Sequence, residues 1–441
     1  MEKKVEGIYD GFKELGTGKM LVLGLQHVFA MFGATVLVPI LTGLSISVTL
    51  FCAGIGTIWF YFITKRKIPI FLGSSFAFLG AFASVANGEI DKLPYATLGV
   101  VCAGLLYVVL AALIAIFGPK KIMRLFPPVV TGPIIVLIGL ILSGSAINNA
   151  QTNWILAIIA IVVIICTNLF GKGMIKIIPV LMGIIISYVV GAVISLASGN
   201  ALFGLPWIDF SNLSGAKIFA VPPFATYSPI PLLFSGKMDG GMAANAIITF
   251  VVVAVAAMVE HIGDICAIGA TCGKNFIADP GLTRTLLGDG IGTSLAGLFG
   301  GPANTTYSEN TGVVALTKVY DPKVMLIAAC FTIILSFVSI FEAFIQTIPA
   351  SIIGGISMVL YGMISATGIR TIVENQVDFK NMRNILIAAL ILVCGLGFNG
   401  NPLILGPIQL GGLAVAAIVG IIANAILPGK DYEFKMEDFE S

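Results

Sequence analysis

Four acidic residues stand inside long apolar stretches of the sequence, where ionisable side chains are rare. Glu260 and Asp264 interrupt the run 247–269, and Asp289 and Glu309 lie in two later stretches. Glu260 and Asp264 are four positions apart, so a helix would project both from one face. An ionisable group in an apolar span is costly and usually faces a pathway or a partner. These carboxylates are therefore candidate hydrogen-bond acceptors and proton carriers.

A purely structural explanation of the same acids stays open at this point. No Lys or Arg lies within eight positions of Glu260, so a salt bridge along its own helix is unavailable. The acids could instead be neutral packing residues that share hydrogen bonds. Burial in a low dielectric disfavours the charged form of a carboxyl group, and two acids one helical turn apart titrate as a pair.

Enzyme chemistry and metal binding lack their usual residue patterns in this sequence. His27 and His261 are the only histidines, and no HxxxH or HExxH spacing occurs. The seven cysteines lie within or beside apolar segments without a CxxC pair, which is typical of small buried packing residues. We therefore expect no catalytic residues, no metal, no disulfide, no cofactor and no nucleic-acid partner.

Two apolar stretches open with sequences that form helices poorly. Residues 68–76 read IPIFLGSSF, and residues 300–309 read GGPANTTYSE. Non-helical backbone at membrane depth is tolerated only where it is buried in protein or lines a cavity. Paired interruptions at matching positions point to the binding site of a transporter. We therefore expect short antiparallel strands at about 70–75 and 303–308.

The helix starts that follow these strands offer hydrogen-bond donors. Ser75 and Ser308 are expected N-caps, which leave backbone N–H groups and the positive end of a helix dipole facing a cavity. Such donors beside carboxylate acceptors suit a planar ligand with both C=O and N–H groups, such as a nucleobase. An anion exchanger is the second class considered. It would need Lys or Arg near the helix starts, and none occurs in 72–90 or 300–316.

The composition indicates what kind of scaffold positions these residues. Hydrophobic residues make up 58% of the 441 residues and charged residues 10%, against about 25% in soluble domains. The sequence therefore predicts an all-α polytopic protein in a lipid bilayer, interrupted only by the two short strands in spans 3 and 10. A span needs about 20 apolar residues. The predicted fourteen spans are 20–43, 46–64, 69–88, 95–117, 127–147, 153–170, 174–198, 243–267, 284–300, 302–317, 323–345, 350–369, 382–399 and 406–428.

The placement of basic residues supports this count. With both termini in the cytoplasm, only Lys92, Lys217 and Lys237 fall on the outer side, as the positive-inside rule requires. Seven spans lie on each side of an external loop at 199–242. An odd number per half gives the second half the opposite orientation, so a 7+7 inverted repeat is predicted.

Three motifs resemble a known family. The segment Glu309–Lys318, ENTGVVALTK, resembles the signature [QE]-N-x-G-x-x-x-x-T-[RK] of the nucleobase–ascorbate transporter family, which are nucleobase:cation symporters. Residues 25–34 resemble the Gln-His motif of its first helix, and residues 71–78 resemble the strand of its third span. The resemblance extends over nearly the whole chain, from about 21 to 427.

The resemblance implies a core domain of spans 1–4 and 8–11 and a gate domain of spans 5–7 and 12–14, in a homodimer held by gate surfaces. The implied segments are 1–19 (cytoplasmic N-terminal segment), 20–124 (core), 125–198 (gate), 199–242 (extracellular loop), 243–347 (core), 348–428 (gate) and 429–441 (cytoplasmic tail).

The resemblance also implies a function and a site. Within the family the chain is most similar to bacterial members that import uracil with a proton across the cell membrane. Side-chain acceptors, backbone donors and pocket walls for the substrate are implied at Glu260, Glu309, Phe76, Ser308, Tyr307, Ala34 and Tyr361. The residues themselves predict proton coupling at Glu260, Asp264 and Asp289, with the pair Glu260–Asp264, one helical turn apart, as the first hypothesis. Structural support of the site is implied at Gln26, His27 and Asn310.

Three positions depart from the uracil branch, so xanthine or another purine stays open as the substrate. Some uracil carriers of the family have a coupling histidine where this chain has Asp264, and Asp289 resembles an acid of the purine branch. Ser308 replaces an expected glycine, which keeps the backbone donor but narrows the pocket. Glu309 favours uracil, because purine carriers commonly have glutamine there. The coupling ion, proton or sodium, stays open as well.

Overall fold

The fold is known from a computed structural model, which describes residues 6–86, 88–118, 127–198, 207–210, 213, 215, 217–406 and 408–429. The expected domain boundary at 124/125, the start of the expected external loop and the tail from residue 430 lie outside the described residues.

The first half of the chain is built almost entirely of long helices. In order, its elements are α1 (Gly11–Thr42), α2 (Ile46–Ile63), β1 (Leu72–Ser74), α3 (Leu79–Ala86), α4 (Leu93–Phe117), α5 (Pro128–Ala150), α6 (Trp154–Phe170) and α7 (Pro179–Ser198). Short 3-10 turns precede α3, α4 and α7, at Phe76–Phe78, Ile90–Lys92 and Gly173–Ile177.

The second half starts with two short helices and then repeats the mixture of helices and short strands. Its elements are α8 (Phe224–Tyr227), α9 (Pro229–Phe234), α10 (Gly240–Cys272), α11 (Leu282–Leu298), β2 (Asn304–Thr306), α12 (Ser308–Thr317), α13 (Lys323–Ser336), α14 (Ser339–Ile345), α15 (Ala350–Glu374), α16 (Met382–Gly397), β3 (Leu403–Leu405), β4 (Ile408–Leu410) and α17 (Gly412–Ile426).

Seven of the described helices are long and apolar enough to cross a membrane. The expected span 323–345 is broken: α13 and α14 meet at an angle of 83°, and they would make an eighth span if counted together. Shorter apolar helices lie at 76–86 and at α6, α16 and α17. Every membrane-crossing backbone must satisfy its own hydrogen bonds, which long helices do. The chain is an integral membrane protein.

The two interrupted stretches form an antiparallel ribbon, as predicted. Leu72 pairs with Thr306, Gly73 with Thr305 and Ser74 with Asn304. The ladder extends by one bond at each end, from Ser75 N to Ala303 O (2.8 Å) and from Tyr307 N to Phe71 O (3.0 Å). The ribbon is fully buried, and backbone groups that it leaves unpaired are satisfied by side chains of neighbouring helices.

Two threonines form hydrogen bonds with these backbone groups. Thr57 of α2 both accepts from Leu72 N (2.9 Å) and donates to Leu72 O (3.1 Å). Thr293 of α11 donates to Asn304 O at 3.0 Å. The ribbon is thus held from the side by α2 and α11.

Caps at the two helix starts differ from the expectation. Tyr307, not Ser308, is the N-cap of α12, and neither Tyr307 nor Ser75 makes a side-chain capping bond. Ser308 is instead the first residue of its helix, and its hydroxyl group bonds a carboxylate described below. Elsewhere the expected chemistry holds: Asn153 and Asp239 cap α6 and α10 through two backbone N–H groups each.

A second ribbon occupies the start of the last predicted span, where no strand was predicted. β3 and β4 form a tight antiparallel hairpin around Gly406, whose φ of 62° suits a residue without a side chain. The residues on either side of Gly406 are apolar like those of a membrane span, which is why the sequence predicted a span here. The helix that follows, α17, begins only at Gly412.

The N-terminal segment also differs from the expectation, because α1 begins at Gly11 rather than near residue 20. Gly16 has non-helical dihedral angles inside α1, so the first turns are set at an angle to the rest. Ile8 forms a parallel bridge with Val319, and Gly11 N donates to Asp321 at 2.9 Å. The segment therefore lies against the exit from α12.

The helices pack in two sets, joined by α17. In the first set α4 packs on α10 and α11, and α2 packs on α11 and α13. In the second set α15 packs on α5, α6 and α7, and α16 packs on α5 and α17. Both α17 and β4 also contact α10, so this end of the second set touches the first.

Candidate functional site

The centre of the molecule contains an acid that holds the ribbon to α12. Asp264 of α10 accepts a hydrogen bond from Thr306 Oγ1 at 2.7 Å and another from Ser308 Oγ at 2.8 Å. It is 8% exposed. Because one carboxylate oxygen binds the last strand residue and the other binds the first helix residue, Asp264 fixes the direction in which α12 starts.

Glu260 and Glu309 differ from Asp264 because their side chains are accessible to solvent, although their helices lie inside the bundle. Ser308 is accessible as well. Glu260 lies one helical turn before Asp264 on α10, and Glu309 lies in the first turn of α12. The two carboxylates are thus free to accept hydrogen bonds from a ligand, whereas Asp264 is occupied by the protein.

Glu309 lines a cavity of about 170 Å³ between the two helix sets. On the side of the first set the wall includes Ala34 of α1, one of the residues implied by the family motifs. On the opposite side it consists of residues from α6, the turn before α7, α7 and α15. The lining residues are Phe29, Ala30, Gly33, Ala34, Ile164, Asn168, Lys176, Ile177, Ile178, Pro179, Val180, Leu181, Glu309, Leu360 and Met363.

Asn168, Lys176, Leu360 and Met363 were not identified from the sequence. Asn168 and Lys176 are the polar residues on the wall opposite Glu309, and both come from segments with no motif of their own. Tyr361, the residue implied for that wall, is 2% exposed, and its backbone carbonyl lies against Gly139 of α5. Its neighbours Leu360 and Met363 line the cavity instead.

Phe76 and Ser308 begin the short helical segments at opposite ends of the ribbon. Phe76 follows the end where Ser75 bonds Ala303, and Ser308 follows the end where Tyr307 bonds Phe71. The first N–H groups of a helical segment have no acceptor within that segment. The positive end of the α12 dipole therefore lies beside the carboxylate of Glu309.

Tyr307 braces the ribbon from within. Its hydroxyl group donates to Ser74 O at 2.7 Å and accepts from Thr35 Oγ1 of α1 at 3.1 Å. Its ring lies directly against Gly73, so that any side chain at Gly73 would collide with it. Tyr307 is 4% exposed, which makes it a support beneath the pocket rather than an open part of its wall.

The three residues implied as structural support fall into two places. Asn310 Nδ2 donates to His27 O and lies 3.1 Å from His27 Nδ1, so these buried residues join α12 to α1. Gln26 points elsewhere: its side-chain amide contacts the sulfur of Met174, in the turn before α7. Gln26 thus connects α1 to the second helix set.

Asp289 does not join the other acids. Its carboxylate lies 2.9 Å from His261 Nδ1, and both side chains are fully buried between α10 and α11. His261 directly follows Glu260 in the sequence, yet it points to a different side of α10. A histidine inside an apolar span was the available signal for this pair, but its partner is determined by how α10 packs on α11.

The arrangement can bind a small planar molecule but shows no grouping for metal binding. In the described part of the chain, no three His, Cys, Asp or Glu side chains come close enough to hold a metal ion. Glu309, apolar residues of α1 and residues of α6, α7 and α15 meet at one cavity between the two packed sets of helices.

Comparison of the sequence with known proteins identifies the family. The sequence profile of the Permease family named Xan_ur_permease matches residues 18–403. The chain is 38% identical over 429 residues to the uracil permease of Bacillus caldolyticus, covering 94% of this chain and 93% of that protein. It is 39% identical over 424 residues to the uracil permease of Bacillus subtilis strain 168, covering 92% and 91%.

Solved structures show a shared fold at low sequence identity. The transmembrane domain of the cyanobacterial bicarbonate transporter BicA superposes with a TM-score of 0.62 at 16% identity, covering 96% of this chain and 100% of that one. Murine Slc26a9 in the inward-facing state gives 0.65 at 12% identity, covering 92% and 67%. The match along the chain confirms the family indicated by the three motifs. The chain belongs to the Xan_ur_permease family of permeases, and it is a transport protein rather than an enzyme.

Proposed function

We propose that this protein imports uracil across the cell membrane by proton symport. The observation that carries the proposal is the position of Glu309: an accessible carboxylate at the start of a short helix, on the wall of a cavity between two helix sets. Relatives at 38% and 39% identity over most of the chain are named uracil permease.

The proposed binding mode uses both kinds of hydrogen-bonding group. Glu309 and Glu260 accept hydrogen bonds from the two ring N–H groups of uracil. The backbone N–H groups of Phe76 and Ser308 donate to its two carbonyl oxygens. An ionised carboxylate is an acceptor only, so it matches an N–H group and rejects a bare ring nitrogen. Ala34 forms the apolar wall of the pocket.

Tyr307 and Tyr361 take supporting positions in this proposal. Tyr307 holds the ribbon in place beneath the substrate, through Thr35 and Ser74. Tyr361 approaches the substrate only if α15 moves, because its side chain is buried in the present conformation. Asn310 and His27 keep α12 attached to α1 while the cavity opens and closes.

The two helix sets support a proposal of alternating access. The first set corresponds to the core domain (20–124 and 243–347) and the second to the gate domain (125–198 and 348–428), each contributed by both halves of a 7+7 inverted repeat. The long helices, the bent pair α13–α14, the shorter apolar helices, α11 and α12 would make up the fourteen spans. Both termini are placed in the cytoplasm, and gate surfaces would form a homodimer.

The proton is assigned to the acids of α10 and α11, because uracil itself is neutral near pH 7. Glu260, Asp264 and Asp289 are the candidates. Glu260 and Asp264 are one helical turn apart, and adjacent acids share their titration. Asp264, however, already accepts two hydrogen bonds from hydroxyl groups, so both of its oxygens are engaged by the ribbon and α12.

A purine such as xanthine is the alternative substrate, favoured by Asp264 and Asp289. An anion exchanger is the second alternative, since the fold is shared with a bicarbonate transporter. Lys176 on the cavity wall is a basic residue that such an exchanger could use, although it lies away from the helix starts. The wall that bears Glu309 argues against an anion.

Uptake into proteoliposomes distinguishes these cases. The purified protein is reconstituted, and radiolabelled uracil uptake is measured with an inward proton gradient, with and without excess unlabelled xanthine or bicarbonate. Uracil should accumulate inside the vesicles, and the accumulated uracil should be lost when a protonophore is added. Neither competitor should reduce the uptake. Uptake that xanthine abolishes would transfer the assignment to a purine. Uptake that requires sodium and ignores the pH gradient would refute proton coupling.

A further inference from the structure

The molecule contains a buried titratable cluster outside the substrate cavity. His261 of α10 and Asp289 of α11 are each 0% exposed, and their nearest charged atoms are 2.9 Å apart. Tyr107 of α4 is also 0% exposed and interacts electrostatically with Asp289 and Glu260. The ring of Phe60 from α2 meets the imidazole edge-on at 6.3 Å. Four core helices thus enclose this site.

The cluster is incompletely satisfied. His261 Nε2 and the Tyr107 hydroxyl group are buried with no hydrogen-bond partner among the described residues. A fully structural polar cluster is normally saturated with hydrogen bonds, because each unsatisfied buried group costs about 1–3 kcal/mol. Unsatisfied buried atoms in a native structure call for an explanation, and a role in proton transfer is one that fits an acid–base pair.

The charge balance of the pair makes it suitable for holding one proton. With one proton between them, His261 and Asp289 form either an ion pair or two neutral groups, and in both cases their net charge is zero. Removing that proton leaves a neutral imidazole and a buried carboxylate without a counter-charge. An unpaired buried charge is strongly unfavourable in a low dielectric. The proton therefore leaves only when the cluster gains water or the helices rearrange.

The surrounding ionisable groups strengthen this condition. The groups facing the pair are Tyr107 from α4 and Glu260 and Asp264 from α10 itself, and Phe60 of α2 contributes an apolar ring. Two of them are acids, so a deprotonated pair would be repelled by any ionised neighbour. Glu260 is accessible to solvent, and its charge interacts with Asp289 and with Tyr107, so it is an accessible acid beside the buried cluster.

From this geometry we propose that the His261–Asp289 pair binds the proton that drives transport, and that the accessible carboxylate of Glu260 passes the proton between the pair and water. This inference rests on the proposed symport and names its coupling site. The imidazole takes up a proton delivered from external water while the cavity faces outward. The same proton returns to cytoplasmic water after uracil has left. Asp264 then serves to orient α12 and does not carry the proton.

The first test separates coupling from transport. His261→Gln and Asp289→Asn are reconstituted, and three quantities are measured: uracil binding by calorimetry, exchange of internal for external uracil without a gradient, and accumulation under an inward proton gradient. Accumulation should fall at least tenfold in both variants, while binding and exchange persist. Ser187→Ala, which removes a buried unpartnered hydroxyl group from α7, is the control for loss of a buried polar atom and should accumulate normally.

Other outcomes overturn the proposal. Accumulation at the wild-type level in either variant would remove the pair from coupling. A parallel loss of exchange and accumulation would show that the pair is structural only. If the wild-type protein itself exchanges no uracil, uracil is not the substrate. The pair is then tested by the second experiment, which needs no transport.

The second test needs no transport, because the chain has only two histidines. The full chain labelled with ¹³C-histidine should give one resonance for each, and His27→Gln assigns them. Asp289→Asn should move the His261 resonance, because the imidazole loses its carboxylate neighbour. A His261 resonance that Asp289→Asn leaves in place refutes the proposal. His27, which faces an amide, is the internal reference.

Discussion

Replacing Gly73 by alanine tests whether the ribbon and Tyr307 support the site as one unit. A Cβ atom on Gly73 would lie 2.5 Å from Tyr307 Cε2 and 2.8 Å from its hydroxyl oxygen. Non-bonded atoms are comfortable at about 3.5–4.0 Å, so the ring must move by roughly 1 Å. The ring cannot move freely, because its hydroxyl group is tied to Ser74 and Thr35.

The expected cost follows from either response of the structure. Overpacking a rigid site costs about 1–3 kcal/mol. Swinging the ring away would break two hydrogen bonds worth about 1 kcal/mol each. We therefore expect Gly73→Ala to lower the free energy of unfolding by about 1–3 kcal/mol. Uracil binding should weaken as well, because the ribbon leads into both helix starts.

The matched control is Gly80→Ala in α3, where the new Cβ would meet only Leu413 Cδ2, at 3.8 Å. This helical position should tolerate alanine without loss. Unfolding is measured in detergent by equilibrium denaturation, and uracil affinity by calorimetry. The reasoning is tested by a double-mutant cycle with Tyr307→Ala: without the ring, Gly73→Ala should cost at least about 1 kcal/mol less. An equal cost in both backgrounds would refute the ring contact as the cause.

Three further substitutions have defined outcomes. Glu309→Gln replaces an acceptor-only group, so uracil should bind about 10- to 150-fold more weakly, equivalent to roughly 1.5–3 kcal/mol. Unchanged affinity by calorimetry would exclude Glu309 as a ligand. Asp264→Ala removes the carboxylate that accepts from Thr306 of β2 and Ser308 of α12, so uracil affinity should fall about tenfold or more, with a smaller loss for Asp264→Asn. Equal affinities in all three proteins would contradict the orienting role. Glu342→Gln should lower the free energy of unfolding by about 1–3 kcal/mol with little change in uracil affinity. The reason is that Glu342 of α14 accepts from Ser45 Oγ at 2.9 Å and from Ile46 N at 3.0 Å, at the positive end of α2. Denaturation curves that coincide with wild type would contradict this role.

The ribbon was predictable because its signals are local. Pro, Gly and β-branched residues in 300–309 and the Gly-Ser sequence in 68–76 disfavour a helix whatever surrounds them. Local residue types misled at Ile408–Leu410, a strand that lies inside the predicted span 406–428. The turn at Gly406 was the available sign of a hairpin.

Contacts between distant helices could not be predicted from one sequence. The His261–Asp289 pair depends on how α10 and α11 are rotated about their axes, which local residue types do not fix. The cavity wall formed by Asn168 and Lys176 depends on how the second helix set sits against α1. Ser308 was recognised as a helix start, but its bond to Asp264 required the geometry of both elements.

The antiparallel pairing of β1 and β2 has a consequence for substrate size. Phe76 and Ser308 leave the ribbon at opposite ends, so the span between their N–H groups is set by the backbone ladder rather than by side-chain packing. The rise along a strand hardly varies, at about 3.2–3.4 Å per residue, so each step in register moves the two helix starts by a fixed distance. In the proposed binding mode, in which these two N–H groups bind the carbonyl oxygens of the ligand, the backbone ladder sets the distance between the two donors. Side-chain substitutions in the pocket would alter affinity, whereas changing the register of this ribbon would alter which ring system fits.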